Sequence, residues 1–173
     1  MRVGGEVVWQ VPPLSVPHPA VARAKALAHA GLIAWERLDF GRSTALSEEA
    51  LALSRELGYK EGAAAALYSL GMVAIYDQMS AEDAWSRFEE CLVLRRELKD
   101  EVGMARTLQK MGLIMVMRRD FKRAQAVYEE ATGLVQWTGD KVGRVVTLWL
   151  GGSPLWAWAT TKVWRVCAGK ALT

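Results

Sequence analysis

Few residues of this chain stand in arrangements that could do chemistry. The acidic doublets Glu48-Glu49, Glu89-Glu90 and Glu129-Glu130 are the most numerous candidates for general acid and base work. Their even recurrence along the chain reflects a duplicated structural unit. It spreads carboxylates out instead of converging them on one substrate. Each doublet therefore reads as a solvated helix face. His18 and His29 have no second ligand set and read as structural or surface histidines. Cys91 and Cys167 show neither metal nor redox spacing. Cys91 falls at a small helical position, which predicts a buried free thiol. Ala168-Gly169-Lys170-Ala171 resembles the end of a phosphate loop. Trp164 stands where the upstream glycine is needed, and Ala171 where the hydroxyl is needed. The doublets Arg95-Arg96 and Arg118-Arg119 read as short exposed charge runs. These readings predict no catalytic residue, no metal site and no cofactor; an enzyme is not expected.

The 173 residues suffice for one domain with a real core, and 51% hydrophobic with 24% charged residues is ordinary for a folded protein. The net charge of +3 is unevenly placed. From Lys141 onward there are five basic side chains and no acidic one, whereas up to Asp140 acidic side chains slightly outnumber basic ones. The basic pI thus comes from the tail, which argues against direct nucleic-acid binding. Met1–Ala20 lacks a continuous apolar stretch, so no secretory signal is read. The apolar run 142–159 is broken by Arg144 and by Gly151-Gly152-Ser153-Pro154, so no membrane span is expected. The expected location is cytoplasmic.

The residues that carry information are those that position helices. From Glu101 to Asp140, apolar residues at spacings of three and four form two helical faces joined at Arg118-Arg119-Asp120. Neither helix can hide its face alone. The rest of the chain supplies copies. Gly31, Gly71, Gly112 and Gly152 recur with a nearly constant period. Leu27, Leu67, Leu108 and Leu148 each stand one helical turn before one of them. Ala50, Cys91, Ala131 and Ala171 occupy a matching small position on the second helix, with a single insertion in the second turn. Gly62, Gly103 and Gly143 form a third set at the start of each following pair. A glycine inside a helix costs about 1 kcal/mol against alanine, so its repetition predicts close helix approach there. The small residue is expected to meet it from the other helix. Phe88 and Tyr128 are expected to fill the space between successive pairs.

The expected organisation is an irregular leader over 1–19, helix pairs over 20–58, 61–99 and 101–138, and a degenerate fourth pair over 141–173. Pro19 is expected in the first turn of the first helix. Ser80 with Asp83 is expected to form a capping-box-like start. Pro154 should break or kink the fourth pair, and Trp149, Trp156, Trp158 and Trp164 crowd the same stretch. Two readings of that tail stay open, a capping repeat or a segment read from a shifted frame.

Leu27-x3-Gly31, Leu67-x3-Gly71 and Leu108-x3-Gly112, followed by Ala84 or Ala124, Phe88 or Tyr128, and Cys91 or Ala131, resemble tetratricopeptide repeats. The period of about 40 resembles the longer repeats of the kinesin-light-chain and maltose-activator kind. The run from Asp39 to Gly58 is similar to arrays in bacterial LuxR-type and related ATPase regulators. The resemblance covers residues 20–140. It implies an all-α fold, an α-solenoid of antiparallel helix pairs in a right-handed superhelix. It further implies that the first helices line a concave groove. By the family pattern the groove residues are Lys25, Ala28, Leu32, Trp35 and Glu36 of the first copy. The second gives Ala65, Tyr68, Met72, Ile75 and Tyr76, and the third Arg106, Gln109, Leu113, Val116 and Met117. An aromatic and apolar groove with polar handles suits a protein or peptide ligand. The expected function is a non-catalytic scaffold in a bacterial regulatory system, with self-association through the open ends of the array. The alternatives are a small-ligand sensor module and a truncated remnant of a larger regulator.

Overall fold

In the computed structural model, residues 18–77 and 80–135 are described. They form six α-helices and no strand: α1 Pro19–Glu36, α2 Phe40–Glu56, α3 Lys60–Tyr76, α4 Ala81–Glu97, α5 Glu101–Met117 and α6 Phe121–Val135. Consecutive helices pack as antiparallel pairs, and the pairs stack in order. The expected leader, the tail from 141 with its fourth pair, and Cys167 lie outside the described residues.

The turns explain why the pairs form. Leu38, Gly58, Lys99 and Arg119 all adopt φ between 56° and 63°, each at the second position past a helix end. At each, two amides return to the last helical turn. The Gly58 amide donates to Arg55 O at 3.2 Å, and the Tyr59 amide to Ser54 O at 2.8 Å. Leu38-Asp39, Lys99-Asp100 and Arg119-Asp120 repeat this left-handed stop. In those three the second residue then caps the next helix. Asp39, Asp100 and Asp120 accept the amides of Arg42, Gly103 and Arg123 at 3.1, 2.9 and 3.2 Å. Three aspartates thus both end one helix and start another. Between α3 and α4 four residues intervene, which locates the predicted insertion.

Pro19 stands at the first helical position, as expected. Ser80 caps α4 by accepting the Asp83 amide at 3.3 Å. The reciprocal half of a capping box does not form. The Ser80 amide donates to Ala74 O, and Asp83 accepts from the Ser80 hydroxyl instead.

The repeat glycines do admit close approach, but from different partners than expected. A Cβ at Gly71 would lie 2.7 Å from the Phe88 ring, and one at Gly112 would lie 2.7 Å from the Tyr128 ring. Each ring lies within its own pair, against its own glycine, so these two side chains are not mere spacers between pairs. In the first pair the ring position holds Ser47. With no ring between them α1 and α2 come close, and a Cβ at Gly31 would meet Ser47 N at 3.3 Å and Ser43 O at 3.4 Å. The Ser43 hydroxyl donates to Gly31 O at 2.9 Å across the same contact.

The small residues do something else. Ala50 sits with Ala28 and Ala66, and Cys91 sits with Ala64 and Leu67. Ala50 therefore marks the junction of its pair with the first helix of the next. Cys91 meets that next helix too, through Thr107 at 3.6 Å. Ala131 belongs to the main core, which joins pairs two and three through Met72, Ile75, Phe88, Leu92, Leu108 and Ile114. The third glycine set serves the same junctions. A Cβ at Gly62 would strike Ser54 and Tyr59, and one at Gly103 would strike Arg95 and Asp100.

On the outer side, ion pairs link successive second helices. Arg55 of α2 pairs with Glu90 of α4, and Arg96 of α4 with Glu130 of α6. The second carboxylate of each acidic doublet is thus used, Glu49 pairing with Arg23. All are about half exposed, so each contributes at most about 1 kcal/mol. First helices approach more directly, α1 packing against α3.

Candidate binding surface

The first-helix face is built from positions that follow the repeat glycine by one to five residues, with others one and two turns before it. The structure divides the predicted groove residues into two groups. Lys25, Glu36, Tyr76 and Arg106 are exposed, and Leu32, Trp35, Ala65, Tyr68, Leu113 and Met117 are half-buried. Ala28, Met72, Ile75, Gln109 and Val116 are buried. Met72 and Ile75 belong to the core joining pairs two and three, and Val116 is enclosed with Ala124 and Tyr128. These three apolar side chains do not face solvent because the helices behind them claim the same side of the helix.

Among the accessible residues, one group is brought together. The rings of Trp35 and Tyr76 are tilted against each other with centroids 5.8 Å apart, joining the first and second pairs. Trp35 Nε1 is buried and lacks a hydrogen-bond partner. Tyr76 remains 48% exposed, so one side of the platform meets solvent. Tyr68 lies edge-on to Phe88 at 5.8 Å, which ties the surface to the Gly71 contact beneath it. Burial pushes the Tyr68 hydroxyl up to about 12, against the pull of Arg95 and Arg106. Burial likewise raises Tyr76. Both phenols are neutral donors near neutral pH. Lys25 and Glu36 stand eleven positions apart on α1, about 16 Å along its axis, so they are not part of one cluster.

Sequence reasoning missed one residue. Arg95 was expected on an exposed charge run, and that holds for Arg96, Arg118 and Arg119 only. The Arg95 guanidinium lies 5.1 Å from the centre of the Tyr68 ring, and its Nε is buried. The signal was available in the repeat register. Arg95 is the second-pair counterpart of Ser54, which is buried at the junction with α3.

Other residues with chemical potential are held structurally. Cys91 is buried, its thiol donating to Ala64 O at 3.2 Å, and burial raises its pKa. His18 accepts the Ala20 amide at the start of α1, and His29 is exposed. Among the described residues no helix is long and apolar enough to cross a membrane.

The fold is similar to that of BtubC (BKLC) from P. vanneervenii, with a TM-score of 0.60 and 18% sequence identity. The match covers 86% of this chain and 64% of BtubC, so the chain spans less than two thirds of that protein's length. At such identity the likeness shows the fold alone. No family model and no curated protein matches the sequence. Over the described residues the chain is all-helical, with helix pairs stacked as a solenoid-like repeat fold.

Proposed function

We propose that this chain is a non-catalytic scaffold of the tetratricopeptide kind, which binds a protein or peptide along its first-helix face within a bacterial regulatory system. The observation that carries the reading is the Trp35–Tyr76 platform. Two aromatic side chains from different pairs meet at 5.8 Å and leave one ring half exposed. Within a single monomer, neither ring alone needs that exposure for stability. Aromatic anchors of this type concentrate binding energy at protein interfaces. Half-buried Leu113 and Met117 extend apolar surface along α5, while Lys25, Glu36 and Arg106 supply polar contacts at the margins. The proposed location is cytoplasmic.

The test is affinity capture with wild type against a Trp35→Ala/Tyr76→Ala double variant of matched helical content. Partners retained by wild type and lost by the variant support the groove. Equal recovery by both would sink it.

Self-association is the second part of the reading. Ala22, Ala26, His29 and Ile33 of α1 are exposed, whereas their counterparts Gly62, Ala66, Ser69 and Val73 in α3 are buried beneath the first pair. The same stacking face is thus open on α1. Sedimentation of Ile33→Glu against wild type checks it: identical behaviour as monomers at high concentration contradicts association through this end.

A further inference from the structure

The turns that join first to second helices lie on one edge of the stack, where α1, α3 and α5 end and α2, α4 and α6 begin. The repeat register puts charges at matching places on that edge, but their sign changes from pair to pair. Six positions past the repeat glycine stand Arg37, Asp77 and Arg118. The second and third residues of the following helix are Gly41-Arg42, Glu82-Asp83 and Lys122-Arg123. From Asp77 to Asp83 the second tip carries three carboxylates and no cation. The third tip carries Arg118, Arg119, Lys122 and Arg123 against Asp120 alone. All of these except Asp120 are exposed.

Helix stability does not account for these signs. Carboxylates favour a helix start and cations a helix end. Glu82 and Asp83 at the start of α4 obey that rule, as does Arg118 at the end of α5. Asp77 at the end of α3 opposes it, and so do Lys122 and Arg123 at the start of α6. Nor do these charges join neighbouring pairs. On the outer side opposite charges of successive second helices do meet, Arg55 with Glu90 and Arg96 with Glu130. At this edge the described residues make one ion pair, Arg123 with Asp120, inside the third tip. Among the described residues, Arg118, Arg119 and Lys122 have no anion within ion-pair distance, and Asp77 and Glu82 no cation.

We propose that this edge binds a second copy of the chain, with the acidic second tip of each copy on the basic third tip of the other. The charge pattern is self-complementary about one two-fold axis, which runs from first to second helices between pairs two and three. About that axis Asp77 of one copy meets Arg118 of the other, and Glu82 meets Lys122, each contact occurring twice by symmetry. A two-fold along the stack would instead set like tips together. The edge is small and polar for a dimer interface, so the dimer is weak, transient and salt-sensitive. The inference does not rest on the peptide-binding reading, nor on association through the open face of α1.

The experiment is sedimentation velocity of the full chain at high protein concentration, in about 50 mM and about 0.5 M salt. Wild type is expected to dimerise in low salt, with a dissociation constant at least about tenfold higher in high salt. Arg118→Glu/Lys122→Glu reverses the third tip, and Asp77→Lys/Glu82→Lys reverses the second. Each double variant sets like charges together and is expected to be monomeric. An equimolar mixture of the two is expected to regain the dimer, because opposite charges then meet at every contact. Ile33→Glu is expected to leave this dimer intact, which separates it from association through α1. Circular dichroism checks that the variants keep their helices. If a double variant does not, the matched single changes Lys122→Glu and Glu82→Lys repeat the test with less disturbance. A wild type that stays monomeric in low salt overturns the proposal. So does a reversed variant that still dimerises alone, or a mixture that stays monomeric.

Discussion

Gly31 and Ser47 face each other so closely that a Cβ on the glycine would overlap the serine hydroxyl oxygen. That hydroxyl is buried and has no hydrogen-bond partner. Ser47→Ala removes an unsatisfied buried oxygen and places a better helix former, so it should raise unfolding free energy by about 1 kcal/mol. Gly31→Ala alone should lower it by about 1–2 kcal/mol, because overpacking outweighs the helix-propensity gain. In the double variant the oxygen is gone and only backbone contacts at 3.3 and 3.4 Å remain. Urea unfolding of all four proteins should therefore show coupling of about 1 kcal/mol or more. Strict additivity would mean that the helices part freely here.

The other two pairs make the opposite prediction, since their glycines are covered by rings. Phe88 is fully buried between Gly71, Tyr68 and the core that links pairs two and three. Phe88→Ala should cost about 3–5 kcal/mol, transfer and cavity terms together. Val93 lies on the same helix and is 51% exposed, so Val93→Ala should change stability by less than about 0.5 kcal/mol. Thermal unfolding of the two variants distinguishes a ring that holds the stack from one that merely occupies it.

Lys99 and Arg119 hold left-handed backbone at φ 56° and 62°, where Gly58 stands in the equivalent turn before α3. A side chain there costs about 1–2 kcal/mol relative to glycine in a pure steric estimate. Part of that is returned through the greater freedom of glycine in the unfolded chain. Lys99→Gly and Arg119→Gly should each stabilise by roughly 0.5–1 kcal/mol. Both residues are exposed, so no packing is lost. A decrease in the denaturant midpoint for either would show that the stop is held by the side chain.

The register of the repeat was legible from the sequence because it is written in glycines, and glycine inside a helix has few other uses. The helix starts are set by Asp39, Asp100 and Asp120, which cap α2, α5 and α6 from matching places in the turns. What each position touches was less legible. Gly31, Gly71 and Gly112 look identical in sequence, yet one faces a serine and two face rings, because the partner is set sixteen or seventeen residues away. Likewise Trp35, Ile75 and Val116 share one repeat position, but the two aliphatic members are enclosed while Trp35 reaches the surface. The aromatic platform could be placed on a face; the contact of Arg95 with the Tyr68 ring could not, since half-burial of a charged residue depends on the fit of three helices.

Alkaline pH offers a test of the buried surface beneath the groove. The Tyr68 phenol is pushed up to about 12 by burial, whereas the unfolded chain titrates near its ordinary value of 10.0. Between these values the unfolded state holds fewer protons than the folded one, so stability falls as pH rises. The contribution is whole below pH 10 and lost by the folded value, about 2–3 kcal/mol in all. Lys110 acts in the opposite sense below its ordinary 10.5, because burial lowers its pKa and the unfolded state then binds more protons. The informative window therefore opens above pH 10.5. There, urea midpoints should fall steeply for wild type and less steeply for Tyr68→Phe, which has no phenol to ionise. Equal slopes would show that Tyr68 is open to solvent, and with it the surface on which Arg95 rests.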